Sequence, residues 1–378
     1  MKAPSVRVLT VALASVLPFV TPGGTNDVDR TDPNFVTASL LIAGPGEELF
    51  SCAGHAFIRL ECPKFDLDYC FSYESEPIPD KVFSFFAGRL KMGMFAVPTE
   101  EFLKTYREGG RGVVQYRLNL SPPVKQRLWK IMDDKAAEGP ELEYDYIRRG
   151  CAWSVLSCLR TALGSERMEV GSWPEKYRKT RREITADALA ARFPWNLFVL
   201  QAIGGVEIDK EVSNIEKVLI PDDLLDFLRA AKVQGRPIID AEAVEIVPSG
   251  SHPDGMSLIS PLVAATLLVI LSLLNCLLKR TWVDWVFLAI QSFAGVYFTY
   301  LVCFSGLPAT SWHWLIVPFN PPPLVLWRWR RYWAWGFVAV LLAWEAFMLL
   351  SPHQLTDPAY LVTVLAYIIF YAKVARRG

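Results

Sequence analysis

Two residues of this chain have the right types for joint chemistry: His55, in SCAGHAFIRL (51–60), and Cys151, in YDYIRRGCAWSVLSCLRTAL (144–163). A thiol and an imidazole brought together by folding form a nucleophile–base pair, in which the imidazole favours the reactive thiolate. The order His before Cys is no obstacle, because such pairs are defined by geometry and not by chain order. Cys151 opens a helix-like run. There the positive end of the helix dipole and free backbone N–H groups lower a thiol pKa and can hold an oxyanion. Arg148 and Arg149 just before it add positive potential. The competing reading is a small buried core residue, a common place for cysteine. His55 follows Gly54, which permits close backbone approach, and it opens a strand-like run that would hold the ring rigidly. Between the apolar ends the only other histidine is His252, in a Pro-Ser-Gly-Ser linker. Tyr73 and Glu74 are candidates for orienting the imidazole.

The remaining cysteines carry weaker patterns. Cys52, Cys62 and Cys70 with His55 are zinc-ligand types, but they lack the paired spacing of recognised sites. Cys62 and Cys70 as a disulfide, or all of these as reduced core residues, is the more ordinary expectation. Seven cysteines without a CxxC do not spell a disulfide framework. Arg111, in GGRGVV, reads either as a contact for a lipid phosphate or as an exposed turn arginine.

The elements that must position these residues lie between membrane-like ends. Mean hydropathy is +0.24, and 52% of the 378 residues are hydrophobic, high for a soluble enzyme. The 39 basic and 39 acidic residues cancel, which leaves no electrostatic footprint for nucleic acid. Residues 1–24 read as a signal peptide or signal anchor: Lys2 and Arg7, then an apolar stretch broken at Thr21-Pro22-Gly23-Gly24. That sends an α+β domain, 30–250, out of the cytoplasm. VTASLLIAG (36–44), HAFIRLEC (55–62) and GVVQYRLNL (112–120) read as strands. Helices are expected over 121–138, 151–164 and 220–234.

From 255 to 378 the chain reads as a transmembrane domain of four to five spans. The ambiguous one is the Trp/Pro-rich 305–327, which Pro321-Pro322-Pro323 bars from being an ordinary helix throughout. If it crosses, the basic clusters at 279–280, 328–331 and 373–377 all fall on one side, as the positive-inside rule requires. If it dips and returns, the last cluster ends up opposite. His313 and Asn320 within it are polar groups in apolar surroundings, either functional or part of an interfacial loop anchored by Trp312, Trp314 and Trp327.

GPGEELFSCAGHAFIRLEC (44–62), residues 82–122 and the YDYIRRGC segment together resemble the Lnb N-terminal periplasmic domain family, which is named for a bacterial lipoprotein N-acyltransferase. The shared pattern is Pro45-Gly46, Gly54-His55, Arg59, Gly110-Arg111 and Cys151. The resemblance implies a permuted papain-like (NlpC-type) domain fused to a helical transmembrane bundle, in a bacterial inner membrane with the domain facing the periplasm. It implies Cys151 as nucleophile and His55 as base; Arg59, Arg111, His313 and Asn320 are the candidate substrate contacts. One departure is that Gly150 and Ala152 flank the cysteine, where the family commonly has Asn before it and a small hydroxyl residue after it. The activity implied is transfer of an acyl chain from a phospholipid to the α-amino group of a membrane lipoprotein's Cys, with no cofactor. The alternatives are an NlpC-like hydrolase of cell-wall peptide or lipid, and a non-catalytic membrane assembly module.

Overall fold

A computed structural model describes residues 29–75, 81–140, 142–143, 150–171, 179–213, 215–250, 259–278, 281–310, 312–320, 322–351 and 357–377. The leader over 1–24, Arg148, Arg149, the 279–280 basic pair and His252 lie outside the described residues.

Period-two sequence builds the first layer. Its strands are β1 (Thr37–Ala43), β2 (His55–Cys62), β3 (Leu67–Ser75), β4 (Lys91–Pro98), β5 (Val113–Leu118) and β6 (Leu142–Glu143). A separate small sheet joins β7 (Met168–Val170), β8 (Ala231–Val233) and β9 (Arg236–Pro237). With β10 (Ile239–Val247) the large sheet is antiparallel and seven-stranded, in the order β10-β5-β1-β2-β3-β4-β6. The strand that His55 opens is therefore its centre.

Both faces of that strand are covered. Helices α1 (Lys81–Phe86), α2 (Thr99–Glu108), α3 (Pro122–Glu138) and α4 (Cys151–Leu163) follow in order. Ala56, Ile58 and Leu60 share a core with Leu128 and Met132 of α3 and with Val155, Leu156 and Leu159 of α4. On the opposite face Phe57 packs edge-on to Phe102 and flat on Tyr106 of α2. In α4, Ala152, Val155, Leu156, Leu159, Ala162 and Leu163 are buried at helical spacing. Each large apolar side chain so buried contributes about 1.5–3 kcal/mol, which fixes the helix on the sheet. Gly164, with φ +61°, ends it.

Beyond α4 come α5 (Arg181–Leu189), α6 (Pro194–Ile203) and α7 (Pro221–Ala230). The helix expected over 220–234 stops at Ala230. Residues 231–233 pair with β7, because Gln234 and Gly235, both at positive φ, turn the chain back into β9.

The C-terminal part comprises α8 (Pro261–Leu278), α9 (Thr281–Phe304), the single turn α10 (Pro322–Val325), α11 (Arg330–Leu350) and α12 (Ala359–Arg377). Three helices, Thr281–Phe304, Trp327–Leu350 and Ala359–Arg377, are long and apolar enough to cross a membrane. The apolar α8 has 18 residues, about 27 Å of helix, a little under the ~30 Å of a bilayer core.

Polar contacts fix the path of 305–327. At the domain side, Ser305 Oγ donates to Phe86 O (2.8 Å) and the amides of Gly205 and Val206 donate to Ala309 O and Trp312 O. Deeper in the bundle, Gln291 Nε2 donates to Pro318 O (2.9 Å) and Trp344 Nε1 to Trp314 O (2.8 Å). At the far end, Trp327 lies against Trp285 and stacks on Phe370. The segment thus runs the length of the bundle as short helical turns. The side chains of Gln291, Trp344 and Trp333 supply donors that a regular helix would have supplied itself.

Candidate active site

His55 begins β2 and Cys151 begins α4, and the fold brings the two together as a hydrogen-bonded thiol–imidazole pair. Gly54 makes this possible. Its φ is +85°, and a Cβ there would stand 2.8 Å from Ala43 O, the residue paired with His55 across the sheet. Only glycine turns the chain into β2 at this spacing.

The imidazole is held from behind. Its Nε2 is 2.7 Å from Ser72 Oγ, and Ser72 Oγ–H donates to Glu74 Oε1 (2.8 Å). A serine hydroxyl has one proton. With that proton on Glu74, Ser72 must accept from Nε2–H, which leaves Nδ1 as the base towards the thiol. Ser72 is fully buried, and Glu74 lies 3.7 Å from Nε2. Of the two orienting candidates, Glu74 is in reach, while Tyr73 falls on the other face of the strand by alternation. Ser72 itself was not foreseen. The signal that could have found it is the register: β2 and β3 pair with Ile58 opposite Phe71, and continuing that register sets Glu74 across from His55.

Electrostatics sets this cysteine apart from the others in the domain. Burial pushes the Cys151 thiol up, but the charge of His55 and its hydrogen bond outweigh burial, helped by the amides of Ala56 and Ala152, so the net shift is down. Burial pushes His55 down, and the opposing Cys151 charge and hydrogen bond, then Glu74, bring it above its ordinary value. By contrast, burial pushes Cys52 and Cys62 up, Cys158 up to about 11 and Cys70 up to about 12. Cys151 is the cysteine placed to act as thiolate.

Arg111 lies beside the pair. Its Nε donates to Gly44 O (2.9 Å), its guanidinium sits 5.0 Å over the Tyr106 ring, and one terminal nitrogen is buried without a partner. Its charge reaches His55, where it opposes protonation. Gly150 is the N-cap residue of α4 in an extended conformation, and a Cβ there would meet nothing closer than Leu219 O at 3.7 Å. The departure from the family's Asn thus leaves room for a side chain and imposes no strain.

The other expected substrate contacts are placed elsewhere. Arg59 lies four residues along β2, roughly 13 Å from His55, and its guanidinium is taken by Asp68, Glu61 and Gln115. It is committed to the sheet. His313 is buried; its Nδ1 accepts from the Leu315 amide and its Nε2 faces Gln201 O (3.3 Å). Asn320 Nδ2 donates to Val317 O (2.7 Å). These two anchor the non-helical segment, and among the described residues neither contacts His55 or Cys151.

The cysteines also settle two sequence expectations. All seven are free. Cys70 pairs with Arg59 in the ladder and Cys62 pairs with Leu67, three positions away and therefore on the opposite face. At roughly 10 Å along the strand, no disulfide can join them. Cys52, Cys62 and Cys70 belong to three separate hydrophobic clusters and do not converge with His55 as metal ligands.

An antiparallel α+β domain presenting a half-buried Cys–His pair, joined to apolar helices of spanning length, defines a membrane protein with a periplasmic-type domain. Residues 27–182 match the family described as the Lnb N-terminal periplasmic domain. No curated protein and no solved structure matches the chain.

Proposed function

We propose that the protein is a membrane-bound Cys–His acyltransferase that moves an acyl chain from a phospholipid to the α-amino group of a lipoprotein's N-terminal Cys. The observation that carries this reading is the Cys151–His55–Ser72–Glu74 chain, with the thiol lowered and the imidazole raised. In the first half, His55 Nδ1 takes the thiol proton and Cys151 Sγ attacks the ester carbonyl, with amides at the start of α4 facing the oxyanion. The C–O bond breaks and the imidazolium returns its proton to the leaving lysophospholipid. In the second half, the amine attacks the thioester, its proton passes to Nδ1, and the thiolate leaves. Arg111, with its unpartnered nitrogen, is suited to the donor's phosphate. A permuted papain-like arrangement accommodates this order of His and Cys.

Membrane substrates are supported by what flanks the site. The β1–β2 loop carries Phe50, which packs on Phe85 of α1. Helix α1 exposes Val82 and Phe83, the latter 78% accessible, while Gly88 and Gly306 hold it against the end of α9 at backbone contact. An apolar tip fastened to the apolar helices supports a position of the domain at the level of the headgroups. Five crossings of a bacterial inner membrane, counting the non-helical segment as one, put Arg328, Arg330, Arg331, Lys373, Arg376 and Arg377 on the cytoplasmic side.

The test is intact mass of the detergent-purified protein after incubation with phospholipid, beside Cys151→Ala, followed by addition of a lipopeptide with a free amine. An acyl adduct that is labile to hydroxylamine, needs Cys151 and is discharged by the amine is expected. Discharge by water alone would make the protein a hydrolase. No adduct on folded protein with a free thiol would refute acyl transfer.

A further inference from the structure

The end of the bundle opposite the domain contains a second built site. A cleft of about 210 Å³ opens between the start of α9, the turn before α11 and the end of α12. Its walls include the rings of Trp285 and Trp327 and the charged groups of Asp284, Arg330, Lys373 and Arg377. The two charges nearest the core cancel. Lys373, 3% accessible, is ion-paired with Asp284, whose carboxylate also accepts from Asn275 Nδ2 (2.8 Å). Among the described residues the two arginines are not cancelled. Arg330 donates, among the described residues, only to Trp327 O (3.2 Å) while lying over the Trp327 ring, and Arg377 only to Cys276 O (3.4 Å). Among the described residues neither has a carboxylate partner.

We infer that this cleft binds the phosphate of an anionic phospholipid headgroup in the leaflet opposite the catalytic domain. The inference rests on the reading that the bundle crosses a bilayer and not on the acyl-transfer reading. Two guanidinium groups with spare donors match a phosphodiester in charge and geometry. The flanking Trp rings have the amphipathic character favoured at the headgroup boundary. A basic pocket between membrane helices is a setting in which anionic headgroups bind. A zwitterionic phosphatidylcholine carries the same phosphate but brings its own cation, so the uncancelled arginines should discriminate against it. The lipid would be structural, tying α9, α11 and α12 together at the end remote from the chemistry.

The experiment is native mass spectrometry of the full chain in detergent with phosphatidylglycerol and phosphatidylcholine added in competition. Wild type is expected to retain phosphatidylglycerol preferentially. In Arg330→Gln/Arg377→Gln that preference should fall about thirtyfold, the equivalent of about 2 kcal/mol at about 1 kcal/mol per basic residue. Gel filtration and helical circular dichroism report whether the double variant folds. If it does not, Arg377→Gln alone, an exposed change in the last turn, should lose about fivefold. Absence of a preference in wild type, or its survival in the folded variants, overturns the inference. A separate arm measures thermal protection by inorganic phosphate. Protection equal to that by phosphatidylglycerol would assign the cleft to free phosphate and overturn the lipid assignment.

Discussion

Replacing His55 with Gln keeps a polar side chain of similar bulk and removes the imidazole that controls Cys151. In the folded protein burial pushes this thiol up, and the charge and hydrogen bond of His55 are what bring it down. Without them burial acts alone, so the thiol should titrate above its ordinary range. An ordinary thiol, near pKa 8.5, is only about 3% thiolate at pH 7. Loss of the pair therefore lowers the reactive form by up to roughly thirtyfold, of which the greater nucleophilicity of a more basic thiolate returns part, leaving at most about tenfold. The assay is the rate of iodoacetamide labelling of the Cys151 peptide as a function of pH. The peptide readout separates it from the exposed Cys303, and it requires neither substrate nor membrane. Wild type should label at lower pH than an ordinary thiol, and His55→Gln should need a higher pH to match it. Equal rates for both proteins between about pH 6 and pH 9 would refute the claim that the imidazole sets the state of this thiol.

Further outcomes follow from the same geometry. Ser72→Ala leaves the imidazole N–H without its acceptor beside a fully buried position, which costs about 1–3 kcal/mol; the thermal midpoint should fall and thioester formation slow at least about fivefold, and wild-type rates would remove the relay. Gly54→Ala forces a side chain onto positive φ and onto Ala43 O at 2.8 Å; about 1–3 kcal/mol of strain is expected, seen as a lower melting temperature together with slower labelling of Cys151. Asp223 is buried, and burial raises it to about 6 against the hydrogen bonds from Ile220 and Leu219. A raised value means its favourable contribution is complete below the unfolded pKa of about 3.9 and is lost as pH rises through the folded one. Above that window its charge costs on the order of 2–3 kcal/mol. Asp223→Asn should therefore melt higher than wild type at neutral pH and lose the dependence between about pH 4 and pH 6; a lower neutral melting point would contradict this.

The Cys151–His55 pair was legible because histidine is scarce in this domain and the two local contexts, a helix start and a glycine-led strand start, carry physical meaning. Most strand and helix positions were legible for the same local reason. HAFIRLEC alternates, and CAWSVLSCLRTAL buries every third or fourth residue. The helix run-on past Ala230 failed because the turn at Gln234-Gly235 and the pairing with β7 are tertiary decisions. Arg59 shows the same limit. An arginine in a motif looks available, and only the sheet places Asp68 and Gln115 against its guanidinium.

The sequence by itself determined the division of this protein into an α+β domain and an apolar tail, and offered the thiol and imidazole that the fold then pairs. Composition, periodicity and residue chemistry are local properties that need no partner to be read. Tertiary structure alone decided that Ser72 and Glu74 stand behind His55, that Cys62 and Cys70 lie back to back, and that the proline-rich segment runs the length of the bundle. Each depends on strand register or on donors such as Gln291 and Trp344 that are distant in sequence. Register and long-range hydrogen bonding are set by the packing of the whole chain, and no local window contains them.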